Sequence, residues 1–144
     1  MRFAALLLAL CVVLPARAEE PRGCDKFTLS PAVPPTERLA LQPFKDARLA
    51  LPPERAPKDA ASFAGARIVE VPAAGLYQVS LSDYAWIDVV QEGRYVKSGK
   101  FSGALECPGL RKIVRFELKL GTAVIQVSGV AAASIALGFM PASP

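Results

Sequence analysis

The side chains best suited to chemistry cluster in 82-SDYAWIDVVQEG-93, which holds Asp83, Tyr84, Trp86, Asp88 and Glu92. Paired carboxylates of this kind serve glycoside hydrolysis as acid and base, and an indole beside a carboxylate can floor a binding site. Asp83 and Glu92 flank turn signals, where acidic residues are common for local hydrogen-bonding reasons. A Ser–Lys dyad can be drawn from Ser98 with Lys100, or from Ser102, but any polar loop offers such pairs. The sequence contains no histidine, which excludes Ser–His and Cys–His nucleophiles and the imidazole-held iron of non-haem oxygenases. The acidic residues are spread singly, without the D-x-[DN]-x-[DN]-G run of a calcium loop. The expectation is a protein without catalytic residues, metal or cofactor.

What must position these residues is a set of strands. From Ile68 onward apolar and polar residues alternate: Tyr77, Val79 and Leu81; Val114, Phe116 and Leu118; Ala123, Ile125 and Val127; Ile135, Leu137 and Phe139. Period-2 alternation gives one buried and one wet face. Turn signals separate the runs at Ala74-Gly75, Ser82-Asp83, Glu92-Gly93, Pro108-Gly109, Gly121 and Gly129. Short strands at this spacing predict an all-β fold, an antiparallel β-sandwich of jelly-roll type. In 85-AWIDVVQ-91 both faces are apolar, so this strand is expected to be central and covered on both sides, or covered on one side by the proline-rich N-terminal segment. Trp86 is then read as core packing, with an exposed ligand platform as the alternative. Asp88, sharing its face, needs partners such as an arginine or a loop amide if buried, or else lies where the sheet edge lets in water.

The first 18 residues read as a secretory signal peptide: the basic Met1-Arg2 head, an apolar run from Phe3 to Leu14, and an Ala16-Arg17-Ala18 cleavage site before Glu19. That run is too short to span a bilayer, and no later stretch approaches the roughly 20 apolar residues a membrane helix needs. Lipidation at Cys11 is the alternative, against which Leu10 stands where a small residue is wanted. Cleavage leaves Cys24 and Cys107 in an oxidising space, so one Cys24–Cys107 disulfide is expected. A redox or metal role for the pair lacks a C-x-x-C spacing. Residues 19–66 carry Pro34-Pro35, Pro43, Pro52-Pro53 and Pro57, which exclude a long helix or a central strand. This segment is expected to pack in extended form on the core at 67–144, with 19–144 forming one domain and 53–65 an exposed connection over its surface.

The whole chain has 17 basic and 13 acidic residues; removing Arg2 and Arg17 leaves a net charge of +2. The charge is segregated. Arg94, Lys97, Lys100, Arg111, Lys112, Arg115 and Lys119 stand against only Glu106 and Glu117. The plain reading is a solvated face whose cations guard strand edges. The sharper one is a surface for an anionic envelope polymer, with Asp83, Tyr84, Trp86 and Asp88 as an alternative binding group. Alternation places Arg115 and Lys119 on the wet face of their strand. Export disfavours nucleic acid.

The blocks W-I-D-V-V, C-P-G-x-R-K and Q-V-S-G-V, within 75–96, 101–130 and 134–140, resemble a family of small exported proteobacterial proteins without an established function. Some of these carry a homogentisate dioxygenase label, which a chain without histidine does not support. More distantly, the strand order is similar to that of the jelly-roll domains at the C-terminus of secreted bacterial peptidases, which implies an accessory role. This chain is expected to depart from them in its cysteine pair and in standing alone, with no catalytic domain attached. The expected function is a non-catalytic periplasmic or secreted binding or accessory module for a glycan or anionic envelope polymer. A structural protein docking on another exported protein is the second reading.

Overall fold

The computed structural model describes residues 24–144; the expected signal peptide, with Cys11, lies outside them. Ten strands form two five-stranded antiparallel sheets packed as a sandwich. Sheet 1 has the order β1 (Arg38–Ala40), β10 (Ser134–Pro141), β4 (Gly75–Leu81), β8 (Lys112–Leu118), β7 (Ser98–Gly103). Sheet 2 has the order β2 (Gln42–Pro43), β3 (Phe63–Val71), β9 (Gly121–Val130), β5 (Trp86–Gln91), β6 (Arg94–Val96). Successive strands cross from one sheet to the other, as in β3 to β4 to β5 and β8 to β9 to β10, which is the interleaving of a jelly roll.

The alternating residues do what their period requires. Tyr77, Val79, Leu81, Val114, Phe116, Leu118, Ala123, Ile125, Val127, Ile135 and Leu137 form one buried cluster between the sheets, with Ile87 and Val89 from β5 and Phe139 packed against it. The β5–β6 hairpin closes through Glu92 and Gly93, both at positive φ, the two-residue turn whose twist suits antiparallel strands.

The outer faces are not left to water. Gln78, Ser80, Ile113 and Arg115 point away from the core of sheet 1, yet all four are buried, because the chain from Cys24 to Pro35 lies over them. Its anchor is the Cys24–Cys107 disulfide, with Cα atoms 4.5 Å apart, set in a second apolar cluster with Leu29, Leu110 and Ile113. The chain then adds β1 to the edge of sheet 1 and β2 to the edge of sheet 2, and runs back over the outer face of sheet 2. There Gln126 accepts from the amides of Ala50 and Leu51 and donates to the Leu51 carbonyl at 2.8 Å. The proline-rich stretch is therefore cover for both sheets and supplies an edge strand to each, and β3 already begins at Phe63.

One expectation is overturned here. Arg115 was placed on the wet face by alternation, but it is 6% exposed. The alternation is real; the face is dry because both ends of the described chain cover it. The guanidinium donates to the carbonyls of Ser30 at 2.9 Å and Ser143 at 2.8 Å.

Candidate functional site

Strand β5 presents Ile87 and Val89 inward and Trp86, Asp88 and Val90 outward. The cover of sheet 2 seals Val90 and Asp88 and thins out at Glu54–Arg55. Asp88 is 3% exposed and fully engaged: it accepts from Trp86 Nε1 at 2.8 Å, from the Glu54 amide at 3.2 Å and from Gln126 Nε2 at 3.4 Å. A loop amide thus satisfies the carboxylate, and the aspartate is a structural anchor that fixes the tilt of the indole.

Trp86 itself is not core, and the core assignment is corrected. It is only half-buried and separates two adjoining hollows at one end of the sandwich. The larger, of about 280 Å³, is bounded by Glu54, Arg55, Tyr84, Phe101 and Lys112, with Val114 and Phe116 at its base. The smaller, of about 140 Å³, lies among Pro57, Lys58, Asp59, Ser62 and Gly129. Arg55, Tyr84 and Trp86 line both. Tyr84 is 57% and Phe101 74% exposed, so three aromatic rings are displayed around one opening.

Two cations flank the indole. Arg55 Cζ is 5.6 Å and Lys112 Nζ 5.7 Å from the ring centroid, within cation–π range. Among the described residues neither has a carboxylate at ion-pair distance; Lys112 donates only to the Ala85 carbonyl, at 3.4 Å. Burial, with the Arg55 guanidinium adding repulsion, holds the Lys112 ammonium below its ordinary lysine value. Carboxylates do stand nearby, Glu54 in the wall of the larger hollow and Asp59 in that of the smaller, but neither is at ion-pair distance from these two cations.

The seven basic residues do not form one surface. Arg111 and Lys112 lie at the Trp86 end. Lys119 lies at the other end of β8, about 23 Å away at strand rise, ion-paired with Glu92 at 2.8 Å, and Arg94 is beside that pair. Lys97 and Lys100 are exposed on the β6–β7 edge, and Arg115 is buried. Of the alternative group, Tyr84 and Trp86 line the opening, Asp83 is exposed and accepts from the Tyr84 amide at 2.7 Å, and Asp88 is sealed. The structure thus joins Arg111 and Lys112 of the first candidate group to Tyr84 and Trp86 of the second.

Arg55, Phe101 and Ser62 are the residues that sequence reasoning missed. Arg55 sits 31 positions before Trp86 within an exposed connection, and nothing local marks it. Among the described residues no three Cys, Asp or Glu side chains gather as a metal would require, and no helix is long and apolar enough to cross a membrane. Comparison with protein-family models, curated proteins and solved structures gives no match. The site's own chemistry carries the functional reading.

Proposed function

We propose that this protein is an exported, non-catalytic binding module that takes an acidic glycan of the cell envelope at the Trp86 end of the sandwich. The observation that carries the proposal is a partly buried indole at the rim of a hollow, flanked by Arg55 and Lys112, two cations with no carboxylate at ion-pair distance. Displayed rings offer flat apolar surface to the C–H face of a sugar, and the cations offer charge-assisted hydrogen bonds to its carboxylate, sulfate or phosphate. The disulfide is compatible with the oxidising space that export implies. A chain without histidine supports binding over turnover.

The test is an array of acidic and neutral envelope polysaccharides. Acidic polymers are expected to bind weakly and to be released by salt, since exposed charges are screened beyond roughly 8 Å at physiological ionic strength. Arg55→Glu with Lys112→Glu is expected to abolish binding, whereas Arg94→Glu with Lys119→Glu at the other end leaves most of it. Binding that ignores both salt and the first pair overturns the proposal.

A second reading, docking on another exported protein, is favoured by one feature. Phe101 and Leu105, 74% and 79% exposed, stand beside Arg111 and Lys112 around an open hollow. Retention of a specific exported partner by the wild type, lost in Phe101→Ser with Leu105→Ser while glycan binding is absent, selects this reading.

A further inference from the structure

The smaller hollow behind Trp86 has in its wall a residue whose buried hydroxyl has nothing to bind. Ser62 is 5% exposed. Its amide donates to the Asp59 carbonyl at 3.2 Å and its carbonyl accepts from the Phe44 amide at 2.9 Å, so its backbone is satisfied. Its hydroxyl has no hydrogen-bond partner among the described residues. Buried hydroxyls are nearly always paired, and an orphan calls for a specific reason. The turn that presents it is rigid, because Asp59 Oδ1 also accepts from the Ala61 amide at 2.8 Å.

The opposite wall is equally specific. Between Phe63↔Val130 and Gly65↔Val127 the β9 strand carries one residue more than β3, and Gly129 sits in this irregularity at φ 71°. A glycine in the left-handed region is the mark of a bulge that re-aims its strand, a device common beside binding sites. A Cβ there would stand 4.0 Å from Pro57 Cβ, in ordinary contact, so the glycine answers to backbone conformation and not to crowding.

At about 140 Å³ this hollow is too small to be a ligand site alone, but with the neighbouring 280 Å³ it makes about 420 Å³, inside the roughly 300–1,000 Å³ range of small-molecule sites. The charges on the two sides differ in arrangement. The larger hollow has the Arg55–Lys112 pair against Glu54 alone, whereas the smaller adds Lys58 beside Asp59 and offers hydroxyl and carboxylate partners.

We propose that the two hollows are consecutive subsites and that the glycan chain crosses the Trp86 indole, with its acidic unit between Arg55 and Lys112 and a neutral, hydroxyl-bearing unit against Ser62. This rests on the acidic-glycan reading and specifies the ligand as an alternating acidic–neutral chain recognised as a two-unit segment. Trp86, the single tryptophan of the chain, reports occupancy from either side.

The experiment titrates the full exported chain with glucuronic acid, with the glucuronate–N-acetylglucosamine disaccharide and with its tetrasaccharide, followed by Trp86 fluorescence and calorimetry. The disaccharide is expected to bind at least tenfold more tightly than the monomer, and the tetrasaccharide to gain less than threefold more. Ser62→Ala is expected to erase most of the disaccharide's advantage, leave monomer affinity unchanged and not lower the melting temperature, since it removes an unpaired hydroxyl. Lys112→Met is expected to weaken monomer and disaccharide alike. Equal affinities for monomer and disaccharide, or a disaccharide advantage that survives Ser62→Ala, overturn the two-subsite assignment while leaving acidic-glycan binding intact. No response to any of the three ligands overturns both.

Discussion

At the scale of single residues, Trp86 and Lys112 occupy positions whose cost and use are separable. The indole is half-buried and donates to Asp88, so Trp86→Ala is expected to destabilise by about 1–3 kcal/mol, below the about 3–5 kcal/mol of a fully buried aromatic, and urea denaturation measures it. Much of that loss is Asp88 left with fewer donors in a sealed site. Lys112 behaves differently because its folded-state value is lowered. Between that value and the unfolded one near 10.4, the unfolded chain binds more protons, so stability rises with pH across the window. The penalty is fully present at neutral pH and is relieved as pH climbs past the lowered value. Denaturation midpoints from pH 7 to 10.5 are expected to rise less steeply in Lys112→Met than in the wild type. Acidic-glycan affinity in the wild type falls over the same range as the ammonium is lost.

At the scale of elements, strand β8 bears two kinds of cation. Its Arg115 guanidinium reaches the carbonyls of Ser30 and Ser143 and so clasps both ends of the described chain onto sheet 1. A carboxylate in that place faces carbonyls in a dry layer, and Arg115→Glu is expected to cost several kcal/mol, on the order of the 3–5 seen when a buried charge loses its partners. Arg94→Glu on β6, exposed on its edge strand, is expected to stay within about 0.5 kcal/mol. Thermal melts of the two variants side by side check the contrast. The Asp88–Gln126 pair does for sheet 2 what Arg115 does for sheet 1: two adjacent outward side chains on β5 and β9 hold residues 50–54 in place, and these carry Arg55 to the rim of the site.

At the scale of the whole molecule, the sandwich is a jelly roll wrapped by residues 24–62. The bond between Cys24 and Cys107 closes a separation of 83 residues, and constraint of the unfolded chain by such a loop contributes up to about 4.5 kcal/mol. Reduction, or Cys24→Ser with Cys107→Ser, is expected to lower stability by up to that amount. It also frees the cover over Ile113 and Arg115, so amide exchange in β8 is expected to accelerate before that in β9. Mass with and without alkylation establishes the bond: no free thiol is expected at Cys24 or Cys107 in the native protein. Exchange that rises uniformly through both sheets overturns the assignment of the disulfide to the cover.

The sequence alone determined the strands and their inward faces, because alternation is a local property and the period of 2 decides which side of a pleat each residue occupies. It also determined the turn at Glu92-Gly93 and, on the expectation that Cys11 leaves with a signal peptide, the Cys24–Cys107 pairing. Tertiary structure decided which outward faces are wet. Arg115 and Lys119 share one alternation, yet one is sealed and the other exposed, and the difference lies in chain from distant positions. The same holds at the site. Tyr84 and Trp86 were legible as aromatic residues on or beside a strand, but Arg55, Phe101 and Ser62 reach them from a proline-rich cover, an edge strand of the other sheet and the turn before β3. No spacing encodes such a meeting, since it depends on how two sheets and their wrapping close against one another.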